Sequence, residues 1–312
     1  MNRLIFVFLW GSRMEKLRRE IVYKQQKNGG LDLPNICVFV QLQYWGCIVR
    51  ILSKDSCCAC MIQYMGGWLF RWWGWQAIEL NRPVHFEVPK FYLCLKEFRD
   101  TYELEKLGVE EKNKKVVKQW IRRNERVSNM DGLKSDDSLR LWKKLQKSEL
   151  AKRQRDVVWM SLHKCLPTRE FLGKRGLCRA AVCPVGGYGD VETVDHLFWG
   201  CVYAREVRDG LKPLFRELCG LETVTWGTIM FGLGVANKVK SRVLWLLLGC
   251  IKEVLWDVRN LLIFKNQVIG KEMCLNMILG RLYVYYLRDV YHSNATDAEG
   301  VWKYKKWRFL IK

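Results

Sequence analysis

The sequence predicts a mainly α-helical protein, and three observations carry that prediction. Apolar residues return every three or four positions over residues 36–52, 111–127 and 241–264, the period of a helix with a buried face. Alternating, strand-like runs are weak. Hydrophobic residues make up 49% of the 312, against 6 Pro and 24 Gly, which supplies a large core and leaves too little low-complexity sequence for disorder. A chain of this length forms roughly one to three packed domains.

The elements follow in order. After a Gly29-Gly30 turn and Pro34, residues 36–52 carry apolar side chains on nearly every side, including Phe39, Leu42, Trp45, Val49 and Leu52, as a helix buried within a bundle would. The run Trp68-Leu69-Phe70-Arg71-Trp72-Trp73-Gly74-Trp75 reads as an aromatic knot under a loop, with base stacking as the alternative use of its ring faces. Residues 81–89, with Pro83 and Pro89, read as a linker. Over 111–127 the period is amphipathic: Val116, Val117, Trp120, Ile121 and Val127 share one side, and Lys112, Lys115, Lys118, Arg122 and Arg126 form a basic stripe. Like charges so spaced cost a few tenths of a kcal/mol each. Tracking a phosphate backbone compensates for that cost; a solvated face is the bland alternative. The polar stretch 128–137 marks a domain boundary. Its Asp136-Asp137 pair precedes a helical pattern and reads as helix cap and first turn instead of a two-metal catalytic pair. In 241–264, Val243, Leu244, Leu247, Leu248, Ile251 and Leu255 form an apolar face that packs into the core, because Lys252, Glu253 and Asp257 do not make the cationic face that anionic lipid requires.

Lys and Arg number 53 and Asp and Glu 32, a net charge of +21. That excess, with 15 Trp and 12 Tyr, excludes an acidic solvating tail or a neutral enzyme surface and favours a polyanionic partner: nucleic acid first, an anionic membrane surface second. The 13 cysteines are odd in number and scattered through apolar stretches such as Ile36-Cys37-Val38 and Leu248-Gly249-Cys250-Ile251. They read mostly as small buried hydrophobes in a reducing compartment, Cys57-Cys58-Ala59-Cys60 included. The N-terminal apolar run, Leu4 to Trp10, is short and lacks a small-residue cleavage site, so secretion is not expected. The longest uncharged run, 33–49, contains Pro34, Asn35, Gln41 and Gln43 and falls short of the roughly 20 apolar residues a bilayer span needs. No transmembrane helix is expected.

The sharpest local signal is Cys178, Cys183, His196 and Cys201, a C-x4-C-x12-H-x4-C pattern. Two close pairs of soft or borderline ligands, separated by a Pro-Val-Gly-Gly turn, match the spacing of a structural zinc site. Against a full set, Gly186 stands where a zinc knuckle places its second thiolate, and nothing between Cys178 and Cys183 turns the chain. Cys183, His196 and Cys201 alone make a three-ligand set. The two-His helix with an intervening Glu that builds a zinc hydrolase is absent, no glycine-rich phosphate loop occurs, and Gly232-Leu233-Gly234 is too short to count as one.

With these residues in place the chain resembles the C-terminal portion of non-LTR (LINE-type) retrotransposon reverse transcriptases. Phe8-Leu9-Trp10-Gly11 and Gly29-Gly30-Leu31-Asp32-Leu33-Pro34-Asn35, followed by an apolar helix, resemble the thumb segment. Val158-Trp159-Met160-Ser161-Leu162-His163-Lys164-Cys165-Leu166-Pro167-Thr168-Arg169, Lys174-Arg175-Gly176, Cys183-Pro184, Glu192 to Phe198 and Cys201 resemble the closing zinc-binding domain, and are the more specific block. The likeness covers residues 1–75 and 138–215. It implies that the family's catalytic carboxylates belong to a palm upstream of the thumb-like block, so no catalytic residue is expected in this chain. It also leaves the family's second zinc cysteine without a counterpart, since 186–188 read Gly-Gly-Tyr, and makes Cys178 the candidate substitute ligand.

The expected organisation is a thumb-like helical bundle (1–80), a linker and basic connecting helix (81–135), a zinc-knuckle-like helical domain (136–220) and a helical C-terminal region (221–312). The expected function is non-catalytic RNA or DNA binding, with zinc as cofactor, no small-molecule substrate, and a nuclear location implied by the resemblance alone. The alternative is a vestigial or protein-interaction helical fragment.

Overall fold

The computed structural model describes residues 2–11, 14–52, 57–70, 89–107, 113–185, 189–292 and 301–302. The fold is mainly α. Among the described residues the only β pairing is an isolated antiparallel bridge between Val182 and Val191. The aromatic run beyond the end of α4, most of the 81–89 linker, Lys112 and the Gly-Gly-Tyr at 186–188 lie outside the described residues.

The chain divides into two compact units, residues 1–13 with 18–128 and residues 14–17 with 129–312. In the first unit the helices are α1 (Asn2–Trp10), α2 (Arg19–Tyr23), α3 (Ile36–Leu52), α4 (Cys57–Phe70), α5 (Lys90–Thr101) and α6 (Lys114–Arg123). Leu42, Trp45 and Ile48 of α3 close on Leu95 and Phe98 of α5 and Val117 of α6, with Leu104 and Leu107 sealing the core. Only one side of α3 is covered by these neighbours. Phe39 is therefore 58% exposed and Cys37 is at the surface, which corrects the expectation of a helix buried all round. Cys58 and Cys60 of α4 are exposed as well, so the expected burial of that cluster is also corrected. The Gly29-Gly30 turn is built as read. Gly29 has φ +95°, and a Cβ on Gly30 would stand 1.9 Å from the Lys24 carbonyl oxygen, a position only glycine tolerates.

The helix expected over 111–127 is shorter at both ends. The Asn113 side chain accepts from the Lys115 amide at 2.8 Å and starts α6. At the other end Glu125 Oε2 accepts from the Gln25 amide at 2.8 Å and from Asn28 Nδ2 at 2.7 Å, while the Ser128 amide donates to the Asn28 carbonyl at 2.9 Å. These bonds draw 125–128 out as an extended strap on the Gly29-Gly30 turn. Tertiary hydrogen bonds thus end the helix where its apolar period continues.

The second unit comprises α7 (Ser135–Gln146), α8 (Lys152–Leu162), α9 (Arg169–Gly173), a π-helical turn (His196–Gly200), α10 (Val202–Gly210), α11 (Lys212–Cys219), α12 (Trp226–Phe231), α13 (Lys238–Lys265) and α14 (Lys271–His292). Asp136 and Asp137 occupy the first turn of α7, with Lys134 at the cap position. The 28-residue α13 is the spine: Val243, Leu244, Leu247, Cys250 and Val254 are sealed beneath α8, α11 and α14. Its apolar face lies in the core, as its charge pattern requires. No described helix is long and apolar enough to cross a membrane. Polar clamps bind its neighbours to it. Arg242 bridges Glu149 at 2.6 Å and Asp289 at 2.8 Å, and Arg281 reaches Glu253 at 3.0 Å and Asp257 at 2.8 Å.

Lys252, in the middle of α13, is 1% exposed. Its Nζ donates to the Met230 carbonyl at 2.9 Å and to Ser161 Oγ at 3.2 Å, two acceptors for the two N–H bonds of a neutral amine. Burial pushes its pKa down to about 7, with Asp195 pulling weakly the other way. Between about pH 7 and 10.5 the unfolded chain therefore holds a proton that the folded one lacks, and stability rises with pH across that window. Below pH 7 both states are protonated and the full cost remains. Burial raises the Cys165, Cys219 and Cys250 thiols, which act in the opposite sense at the alkaline end, so the check is the difference between parent and Lys252→Met in urea unfolding: it should move on the order of a few kcal/mol in the parent's favour as pH rises through this window, and a difference that stays constant would remove Lys252 as a titrating group.

Candidate metal centre and basic face

Cys183 and His196 are thirteen positions apart in sequence, and two local structures bring them together. The Val182–Val191 bridge pairs 182–183 with 190–191 as the two sides of a hairpin, in which the Cys183 amide donates to the Asp190 carbonyl at 2.8 Å. The π-helical turn supplies the other side. Five residues of α-helix rotate through about 500°, which leaves the ends on different faces. Here the Cys201 amide instead closes on the His196 carbonyl at 2.7 Å, five residues back, and the wider turn puts both side chains on one side. Thr193 Oγ1 fixes the start of the turn by accepting from the His196 amide at 2.9 Å.

The result is a compact group. One ligating atom each from Cys183, His196 and Cys201 lie within 4.8 Å of one another. The two sulfurs are 3.9 Å apart, and both cysteines are buried. Two thiolates at ~2.3 Å from a tetrahedral ion stand about 3.8 Å from each other, so the observed spacing suits zinc. His196 Nδ1 faces the Asp190 carboxylate at 3.9 Å, and Nε2 is buried without a hydrogen-bond partner. An orphaned imidazole nitrogen beside two thiols is the chemistry of a metal ligand, with Asp190 placed as the carboxylate that orients the ring. The hydrogen bond with Cys183, and burial, hold the Cys201 thiol well above its ordinary pKa. Metal must displace those protons, so affinity falls as pH falls.

Cys178 does not join the group. It is half-buried, and its thiol donates to the Ala180 carbonyl at 3.1 Å. Of the four expected ligands the structure brings together Cys183, His196 and Cys201.

A further residue sets the site, one that spacing did not single out. Glu192, on the far strand of the hairpin, is fully buried and forms a bidentate pair with Arg259 of α13: Nε to Oε1 at 2.8 Å and an NH2 to Oε2 at 2.7 Å. Oε2 also accepts from the Arg169 amide at 2.7 Å. The guanidinium lies 4.9 Å over the Trp256 ring. One carboxylate thereby ties the hairpin, the start of α9 and the spine helix together.

In the first unit, Lys115 and Lys118 are exposed on α6, as is Arg122 near its C-terminal end. Arg126 is exposed too, but it sits on the extended strap, not on the helix, so the stripe does not continue in helical register. Beside them is a cleft of about 850 Å³ that Lys118, Arg122 and Arg126 line together with Glu20, Asp32, Glu103 and Glu125. Arg122 pairs with Asp32 at 2.9 Å.

Two outcomes follow. Arg259→Ala strands the Glu192 carboxylate in the core and should cost about 3–5 kcal/mol in urea unfolding, whereas Arg259→Met with Glu192→Gln should lose clearly less. Cys183→Ser and Cys201→Ser should each lose bound zinc on purified protein while Cys178→Ser keeps it; zinc lost equally in all three would place Cys178 in the site.

Compared with known proteins, residues 127–207 match the family model described as zinc-binding in reverse transcriptase. No curated protein and no solved structure shows significant similarity to the chain. The matched segment contains Cys183, Glu192, His196 and Cys201 and ends before Arg259. Residues 127–207 thus match a reverse-transcriptase zinc-binding domain, and a Cys/His cluster suited to the metal lies within the matched segment.

Proposed function

We propose that the chain binds RNA or DNA without catalysing a reaction, as a fragment of the non-LTR retrotransposon reverse-transcriptase type whose zinc-binding domain serves to hold its fold. The observation that carries this reading is the Cys183–His196–Cys201 cluster inside the segment that matches that domain. Zinc, when bound, supplies a structural cross-link and neutralises two buried thiolates. The protein's own residues do the rest. His196 and Cys201 fix the π-helical turn against the hairpin that carries Cys183, and Glu192 with Arg259 fixes that hairpin to α13. Asp136 and Asp137 serve the start of α7, where their charge favours the first turn, and Asp137 faces Arg140 at 3.4 Å. Exposed lysines and arginines, in a chain of net charge +21, then offer a polyanion its contacts. A nuclear site of action belongs to the same reading.

The test is binding of a labelled oligonucleotide by the full chain over a salt series. The logarithm of affinity should fall by roughly 0.7 to 0.9 per neutralised phosphate per log unit of salt, and Lys115→Glu with Lys118→Glu should reduce that slope by up to about 1.4 to 1.8. A flat salt dependence would sink the reading. Chelation of zinc should lower the unfolding midpoint of the protein before it affects phosphate contacts in the other unit.

A further inference from the structure

Cations that neither the metal centre nor the α6 stripe uses gather on one surface of the second unit. Arg140, Lys143 and Lys147 are exposed along one side of α7 and its C-cap, away from the buried stripe Ser138, Leu141, Trp142 and Leu145. Lys144 lies beside them. Its Nζ donates to Ser241 Oγ at 3.0 Å and sits 4.8 Å over the Trp245 ring, which sets this side of α7 against the beginning of α13. There Lys238 and Lys240 are exposed, Lys240 with its Nζ beside Gly220 at the end of α11, and the first turn of α13 contains no acidic residue.

The carboxylates in reach do little to neutralise this group. Asp136 and Asp137 lie at the far end of α7, and the Arg140–Asp137 contact is 3.4 Å between side chains 81% and 46% exposed, where an ion pair contributes little. Glu149 is already held by Arg242 and Arg288. The contrast with the cleft beside α6 is plain: there Glu20, Asp32, Glu103 and Glu125 line the same space as the cations, and Asp32 pairs with Arg122. Clustered like charges with so few carboxylate partners repel one another and concentrate anions at the surface. Lys143, Lys147 and Lys240 are point charges on flexible stems, suited to phosphate oxygens and blind to base identity.

We propose that the α7/α13 surface is the principal phosphate-backbone site of the chain, ahead of the α6 stripe, and that it binds nucleic acid without sequence preference. The inference rests on the nucleic-acid reading above and names the surface that would serve it.

The experiment compares full-length proteins by fluorescence anisotropy with labelled oligo(dT), and with an RNA strand of equal length, across a salt series. The variants are K143E/K147E/K240E, the α6 variant K115E/K118E, and K174E/K212E/K265E, which makes the same charge change on exposed lysines elsewhere in the second unit. The first should bind at least about tenfold more weakly at low salt, with its log–log slope reduced by about two. The other two should lose clearly less. Zinc content and unfolding midpoint check that the variants are folded, and K143Q/K147Q/K240Q takes the place of the reversal if it is not. Equal losses in the α7/α13 variant and its charge-matched control overturn this proposal and leave the nucleic-acid reading standing. A parent protein that binds neither strand overturns both, and binding only to phosphatidylserine vesicles would identify a membrane as the ligand instead.

Discussion

The buried pair between Glu192 and Arg259 is the constraint on which the architecture of the second unit turns. A hairpin of a few residues with a single β bridge has no stability of its own. It persists because Glu192 reaches under it to a guanidinium on α13, the longest helix among the described residues, and because the same carboxylate accepts the Arg169 amide at the start of α9. Once the hairpin is pinned, Cys183 has a fixed position. The metal cluster is therefore a consequence of the ion pair as much as of its own ligands. Taking two charges out of water is costly, and well-packed apolar residues often replace such pairs without loss. What the pair provides is geometry: two parallel hydrogen bonds fix the hairpin in register and orientation against α13.

The two sides of the metal cluster are held by different means. On one, Cys183 depends on long-range anchoring through Glu192. On the other, His196 and Cys201 depend on a local change of helical pitch, with Phe198 and Leu197 buried beneath the turn. A metal joining the two sides would close the short loop from Cys183 to Cys201, while the ion pair closes the longer one from Glu192 to Arg259, so the site adds rigidity where the fold has made most of the arrangement. Arg259 falls outside the segment matched by the zinc-binding family, which makes α13 a structural part of that domain although it lies beyond the match. The expected division between residues 136–220 and 221–312 sits within this one compact unit.

How much of this was legible in the sequence depends on the range of the interaction concerned. Helical period located α3, α13 and the body of α6, and ligand spacing located Cys183, His196 and Cys201, because both signals are written in neighbouring residues. The limits of α6 were not legible: Val127 continues the apolar period, but Glu125 is captured by Gln25 and Asn28, nearly a hundred positions earlier. Phe39 and Cys37 were misread for a related reason, since an apolar helix does not announce which of its sides will find a neighbour. Cys178 fits the spacing of a ligand, and only the direction of its thiol, toward Ala180, separates it from the others. Glu192 stood in plain sight beside His196, yet its partner is 67 residues away and carries no motif. The α7/α13 cations were equally hidden, each run being unremarkable until Lys144 and Ser241 bring the two together.

The π-helical turn sets a rule for how this segment tolerates change over time. Leu197, Phe198, Trp199 and Gly200 join His196 to Cys201, and the closure depends on their number before their identity. Substitutions in the stretch alter packing by degrees. Loss of a single codon would leave four helical steps, about 400°, and relax the turn to an ordinary α turn with its ends still on one side, whereas a codon gained would carry Cys201 and α10 roughly 100° round the local axis. Substitution, deletion and insertion are thus unequal threats here: the first erodes the site slowly, the second tightens the turn, and the third dismantles it in one step.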